Sequence, residues 1–257
     1  MKKLMMAALI ATTAACGGPA GATKRSDLAS ADYAPVTRRS YDPGDFTRVS
    51  AAGPIHVVVS VGPAISVRAE GSAKTLDLYE VVVEHGALEI GPRNDWYRNR
   101  NHSWRDIEPA TFTVTLPRLS AAALAGSGDM KVDRVDGDHF SASLAGSGDL
   151  DIDALSVDDA KFSVAGSGNL IAQGTARQAN VSIAGSGNAR TRKVSSDRAA
   201  VSIVGSGNVA LTVTGTAHVT IMGSGDVDID GPASCRVSRM GSGHVRCNGR
   251  LRDGEES

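Results

Sequence analysis

The sequence predicts an all-β protein: a single-stranded, β-helix-like β-solenoid whose coils of about twenty residues stack on Gly-Ser-Gly corners. Three observations predict it. Gly-Ser-Gly occurs seven times, beginning at residues 126, 146, 166, 185, 205, 223 and 241, with spacings of 20, 20, 19, 20, 18 and 18. Apolar residues alternate with a period of two on both sides of each motif, the strand signature. Those alternating positions also line up from repeat to repeat, so every coil offers the same apolar columns.

The columns are read by numbering from each motif's first glycine. Position −2 holds Leu124, Leu144, Val164, Ile183, Ile203, Ile221 and finally Arg239, and position −4 holds Ala122, Ala142, Phe162, Val181, Val201, Val219 and Val237. Beyond the corner, position +4 holds Met130, Leu150, Leu170, Ala189, Val209, Val227 and Val245. Position +6 holds Val132, Ile152, Ala172, Thr191, Leu211, Ile229 and Cys247. Each coil is thus expected to be a strand, a glycine turn and a second strand, all alternating inward. One such unit cannot bury its apolar face alone, whereas stacked units share a continuous core. At about 4.8 Å per coil, seven coils predict a rod on the order of 30 Å long. An antiparallel sandwich is the alternative, but it requires neither constant coil length nor aligned columns.

A sharp corner repeated in register needs positive φ or close backbone approach, which glycine allows. Position +3 reads Asp129, Asp149, Asn169, Asn188, Asn208, Asp226 and His244, residue types that suit a turn and stack as hydrogen-bonding ladders. The competing reading is a row of backbone nests for anions or calcium. A structural corner is preferred, since every coil needs one whether or not it binds anything.

Around the repeats, the 257-residue chain has a net charge of −1, with 21% charged and 41% hydrophobic residues. That balance is too apolar for disorder and lacks the basic footprint of a nucleic-acid binder. Residues 1–15 read as a lipoprotein signal peptide: Lys2 and Lys3 precede an apolar run from Leu4 to Ala15, too short to span a bilayer as a helix. Thr13-Ala14-Ala15-Cys16 resembles a bacterial lipobox, although lipoproteins usually carry Leu at the place of Thr13. Cys16 is the expected lipidation site, and Gly17 rather than Asp beside it suggests the outer membrane by analogy with enteric sorting. Residues 16–44 read as a flexible tether, rich in small and polar residues. Residues 45–250 form the expected folded domain, with N-terminal strands over 45–119 and repeats over 120–250. Residues 251–257 are a polar tail.

Beyond the repeats, Phe46-Thr-Arg-Val49, Gly53-Pro-Ile-His-Val57, Leu88-Glu-Ile-Gly91 and Leu116-Pro-Arg-Leu119 complete a pattern. Together with runs such as Leu144-Ala-Gly-Ser-Gly-Asp149, they resemble the auto-transporter adhesin head "GIN" domain family over about residues 45 to 250. The resemblance implies a β-helix-like envelope protein acting as an adhesin-like, non-enzymatic interaction module. It transfers no catalytic residues.

Few residues suggest chemistry. Asp226, Asp228 and Asp230 begin an EF-hand-like pattern, but Val237 stands where the bidentate acid belongs. The six histidines lack ligand spacing, so no metal and no cofactor are expected. There is no nucleophile elbow, and serines repeated in every coil are not a unique nucleophile. The alternative function is a polysaccharide-active β-helix enzyme of the envelope, whose acids or base would come from different coils. The one non-repetitive stretch is 93–106, where Arg93, Trp96, Tyr97, Arg98, Arg100, Trp104 and Arg105 form a candidate ligand loop for sugars or anionic polymers. Its competing role is to cover an end of the core. Expected partners are the membrane, through the lipid, and an envelope or extracellular polysaccharide or protein. Finally, Cys235 and Cys247 sit at −6 and +6 of the last coil, both inward. Small residues fill −6 in the preceding coils (Ala160, Ala179, Ala199, Ala217), so the walls approach closely there and a disulfide is expected.

Overall fold

The computed structural model describes residues 36–93 and 108–253. The chain divides at Ala34/Pro35, and residues 35–257 form one compact unit. Within it, parallel strands stack in register as the repeat predicts. They are β8 (Ala121–Gly126), β9 (Asp129–Val132), β10 (Val135–Gly146), β11 (Asp149–Gly166), β12 (Asn169–Gly185), β13 (Asn188–Gly205), β14 (Asn208–Gly223), β15 (Val227–Asp230), β16 (Ser234–Met240), β17 (Val245–Cys247) and β18 (Arg250–Asp253). The described repeat strands form a β-solenoid, not an antiparallel sandwich.

The apolar columns become the core. Every residue at −4 is buried, as are the first six at −2, +4 and +6, including Thr191. Only the last coil departs, with Arg239 exposed and Val245 and Cys247 half-buried, because β18 stacks on Ser234–Val237 alone and leaves the rest of that coil uncovered among the described residues. A third inward wall, with Val135, Leu155, Val157, Ala176, Val194 and Val213, closes each coil behind the two walls read from the sequence. Unequal coil lengths are absorbed away from the Gly-Ser-Gly edge. Register shifts fall between Ile152 and Leu155, Ile171 and Gln173, and Thr191 and Ser195.

The N-terminal strands are not a separate block. They are β1 (Val36–Tyr41), β2 (Arg48–Ala52), β3 (His56–Val61), β4 (Ser66–Ser72), β5 (Tyr79–Glu84), β6 (Ala87–Pro92) and β7 (Thr111–Leu116). β2 pairs in parallel with both β6 and β8, and β3 with both β7 and β9. The first coil of the chain therefore lies between the second and third, and the link from β7 to β8 passes over it. Beyond the second coil, β5 pairs antiparallel with β6, and β4 and then β1 continue antiparallel from β7. From β5 to β18 the wall spans on the order of 48 Å at about 4.8 Å per step, longer than seven coils alone.

β1 includes Val36–Tyr41, residues whose composition reads as tether. It is held as an edge strand, with Arg38 on Glu70 at 2.6 Å and Arg39 on Asp77 at 2.6 Å. Among the described residues one short helix, α1 (Ala73–Asp77), interrupts the strands; Ser72 caps it by accepting from the Thr75 N–H at 3.2 Å.

Candidate interaction surface

The corner edge is where the repeat is strictest. The first glycine of each motif has φ between +119° and +133°. The second has no such φ and is required for space: a Cβ on Gly148 would lie 1.8 Å from the Gly128 carbonyl oxygen, and one on Gly168 2.1 Å from that of Gly148. The Gly126 carbonyl accepts from the N–H groups of Ser147 at 2.9 Å and Gly148 at 3.3 Å, and the Gly146 carbonyl from Ser167 at 2.9 Å and Gly168 at 3.1 Å. The turn amides thus point into the carbonyl of the coil before, which decides between corner and nest. The serine side chains between the glycines are left facing solvent.

Beside this ridge runs a side-chain ladder. Asn208 Nδ2 donates to Asn188 Oδ1 at 3.1 Å, Asn188 to Asn169 at 2.9 Å, and Asn169 to Asp149 Oδ1 at 2.9 Å. Every amide donates in the same direction, so the run ends on an acceptor-only carboxylate. Asp149 in turn donates its backbone N–H to Asp129 Oδ1 at 3.2 Å. Histidines close both ends: His56 Nδ1 lies 3.2 Å from Asp129 Oδ2, and the His244 N–H donates to Asp226 Oδ1 at 2.9 Å. His56 had no motif to announce it. It joins because Gly53-Pro54-Ile55 forms an eighth, degenerate corner, with Gly53 at φ +111° and its oxygen 3.2 Å from the Gly128 nitrogen.

The walls flanking the edge are sign-mixed. Arg192 spans Asp228 at 3.1 Å and Asp230 at 3.2 Å, so two acids of the EF-hand-like run face a guanidinium. Lys131 sits 3.0 Å from Asp153, and that hydrogen bond holds its ammonium above the ordinary lysine pKa. Among the described residues there is no group of three or more His, Cys, Asp or Glu placed to hold a metal ion. Where the register shifts after Ile152 and Ile171, a shallow cleft of about 350 Å³ is lined by Asp136, Asp153, Ser156, Gln173, Gly174 and Lys193.

Of the residues singled out from the sequence, Cys16, Trp96, Tyr97, Arg98, Arg100, Trp104 and Arg105 lie outside the described residues. Arg93 is exposed, and its backbone N–H donates to Leu78 at 2.9 Å. On either side of the residues left undescribed, β6 ends at Pro92 and the His56 N–H donates to the Ala110 carbonyl at 2.9 Å. Cys235 and Cys247 form the expected disulfide, with Cα atoms 6.5 Å apart. Unforeseen is a file of exposed apolar side chains at position −1: Val204, Met222 and Met240, 53%, 50% and 71% exposed. The aligned repeats do display them, as the enlargement of an alanine column formed by Ala125, Ala145, Ala165 and Ala184.

Comparison with known proteins agrees with this architecture. A putative adhesin from Bacteroides fragilis superposes with a TM-score of 0.76 at 20% identity, covering 82% of this chain and 96% of that one. A putative adhesin from Parabacteroides distasonis gives 0.64 at 16%, covering 82% and 96%. From the same species, a structure described as a putative lipid binding protein gives 0.59 at 16%, covering 86% and 97%. At these identities the likeness is one of fold. No curated protein matches the chain. The model of the family described as "Putative auto-transporter adhesin, head GIN domain" matches residues 45–233. With its repeats, its leading block and its stacked coils all inside or overlapping that match, the chain belongs to the GIN domain family.

Proposed function

We propose that this protein is a non-enzymatic lipoprotein of the bacterial envelope, anchored through Cys16 in the outer membrane, whose solenoid is an adhesin-like interaction module. The observation that carries the proposal is the in-register stack. Each coil sets its outward side chains in register with those of the next, so the walls present a stiff surface of evenly spaced files suited to an extended envelope or extracellular polymer or protein. Three features support it. The GIN family is described as an adhesin head. A disulfide closes the last coil, as in proteins of oxidising compartments. The chain enters the described fold through β1, an edge strand at the end of the stack opposite β17 and β18, so a tether there would hold the rod by one end.

Two measurements test this. Metabolic labelling with palmitate should mark the wild-type chain and leave Cys16→Ser unlabelled; equal absence of label from both removes the anchor. Pull-down from envelope extracts with the full chain should enrich a cell-surface polymer or protein, and deletion of 93–106 should weaken that capture. Failure to retain any envelope component removes the interaction module.

A further inference from the structure

The last coils carry an apolar file with exposed Arg236 on the same outward wall, and Arg239, from the inward −2 column, exposed at the end of the stack. Outward from the wall before the corner, three coils present Ala200, Ser202 and Val204, then His218, Thr220 and Met222, then Arg236, Ser238 and Met240, in register. Val204, Met222 and Met240 therefore form one exposed apolar line. Segments 198–206, 216–224 and 234–242 carry Arg198, Arg236, Arg239 and His218, and no Asp or Glu. Beyond them β18 adds exposed Arg250 and sets Arg252 in register with Arg236, with one acid, Asp253, in register with Val237. This is a local concentration of positive charge in a chain whose net charge is −1.

We infer that this end of the solenoid docks onto an anionic lipid surface, with Met222 and Met240 entering its apolar boundary and Arg236, Arg239 and Arg250 on its phosphates. Chemistry and position both favour that occupant. A phosphate-bearing amphiphile is the surface that complements apolar and cationic groups together, and guanidinium forks match phosphate oxygens. Methionine is unbranched and adapts to a partner without fixed shape, as a fluid boundary requires. The patch runs over three coils to the last one, so Met240, Arg239 and Arg250 lie at the end of the stack. A second copy placed tip to tip would instead set arginine against arginine. The inference rests on the described coils and holds wherever the chain is anchored.

Vesicle co-sedimentation of the full chain in a Cys16→Ser background tests it, because every form compared then lacks an acyl anchor and carries the same N-terminal segment. The Cys16→Ser parent should partition onto phosphatidylcholine vesicles containing phosphatidylglycerol, more weakly onto phosphatidylcholine alone, and less as salt rises. Met222→Ser/Met240→Ser and Arg236→Glu/Arg239→Glu should each lower partition onto the anionic vesicles by about tenfold or more. These side chains are exposed, and circular dichroism with an intact disulfide verifies folding. Anionic-vesicle binding that survives in both variants overturns the inference. So does loss in the arginine variant alone, accompanied by equal binding to a soluble polyanion such as heparin, which identifies a polyanion site. A dimer in light scattering that the methionine variant dissolves, without change in vesicle binding, assigns the patch to self-association and likewise overturns it.

Discussion

Asn188 donates its side-chain amide to Asn169 Oδ1 at 2.9 Å, from a residue nineteen positions later in the chain but one coil away in space. Because Asn188 also accepts from Asn208 at 3.1 Å, it is both donor and acceptor in a directional ladder. Asn188→Asp keeps the acceptor, removes the donor and sets a carboxylate against the Asn169 oxygen. The expected loss is about 1 kcal/mol, a typical net hydrogen-bond contribution, with a larger effect than Asn188→Ser. Urea unfolding midpoints at neutral pH measure both.

The two glycines of a corner and the serine between them are predicted to differ sharply. Gly148→Ala places a methyl 1.8 Å from the Gly128 carbonyl oxygen, backbone that cannot yield without unstacking the coils. A loss of more than about 3 kcal/mol, or failure to accumulate as folded protein, is expected. Ser147→Ala, on an exposed side chain, should stay within about 0.5 kcal/mol of wild type. Thermal melts of the two variants decide it; similar melting temperatures would contradict the assignment of space as the second glycine's role.

Cys235 and Cys247 are twelve residues apart and close the final coil. The bridge restricts the unfolded chain, and Cys235→Ser/Cys247→Ser should cost up to about 3 kcal/mol. Since Cys235 pairs with Ala217 in the coil before, the loss should appear first as fast amide exchange in β16 and β17, with β11 to β13 still protected. Alkylation of unreduced protein should leave both sulfurs unmodified.

The Lys131 ammonium is held above the ordinary lysine value by its hydrogen bond to Asp153, reinforced by that carboxylate's charge. A folded-state pKa above the unfolded one means a contribution present below the unfolded lysine value near 10.4 and lost as pH rises through the folded one. Asp153→Asn should therefore return the Lys131 titration toward the ordinary value, read by NMR of its side-chain carbons. An unchanged titration in the variant would show that the pair does not persist in solution.

The coil period, the inward columns, the corner and the cysteine pair were legible along the chain. They repeat at one interval, and stacking turns equal sequence position into equal spatial position. Leu144, Val164, Ile183 and Ile203 could be placed on one buried column for that reason alone. The disulfide followed from the same logic, since −6 and +6 of one coil face each other across the core. The exposed line of Val204, Met222 and Met240 was equally present in the aligned repeats, but a column becomes a surface feature only once its direction and its neighbours are known.

Tertiary structure alone decided the order of the first coils. Nothing in 46–61 or 87–116 carries Gly-Ser-Gly, and the pairing that inserts β2 and β3 between β6–β7 and β8–β9 depends on contacts between segments far apart in sequence. That insertion makes Gly53 a corner and brings His56 onto Asp129, extending the ladder by a residue no local pattern marks. The third wall behind Leu155 and Val194 was likewise hidden. Its register is shifted by bulges as coil lengths change, so its residues do not align at a fixed distance from the glycines. Periodic packing writes itself into a sequence; non-sequential stacking and bulged registers are settled by which surfaces find each other when the chain closes.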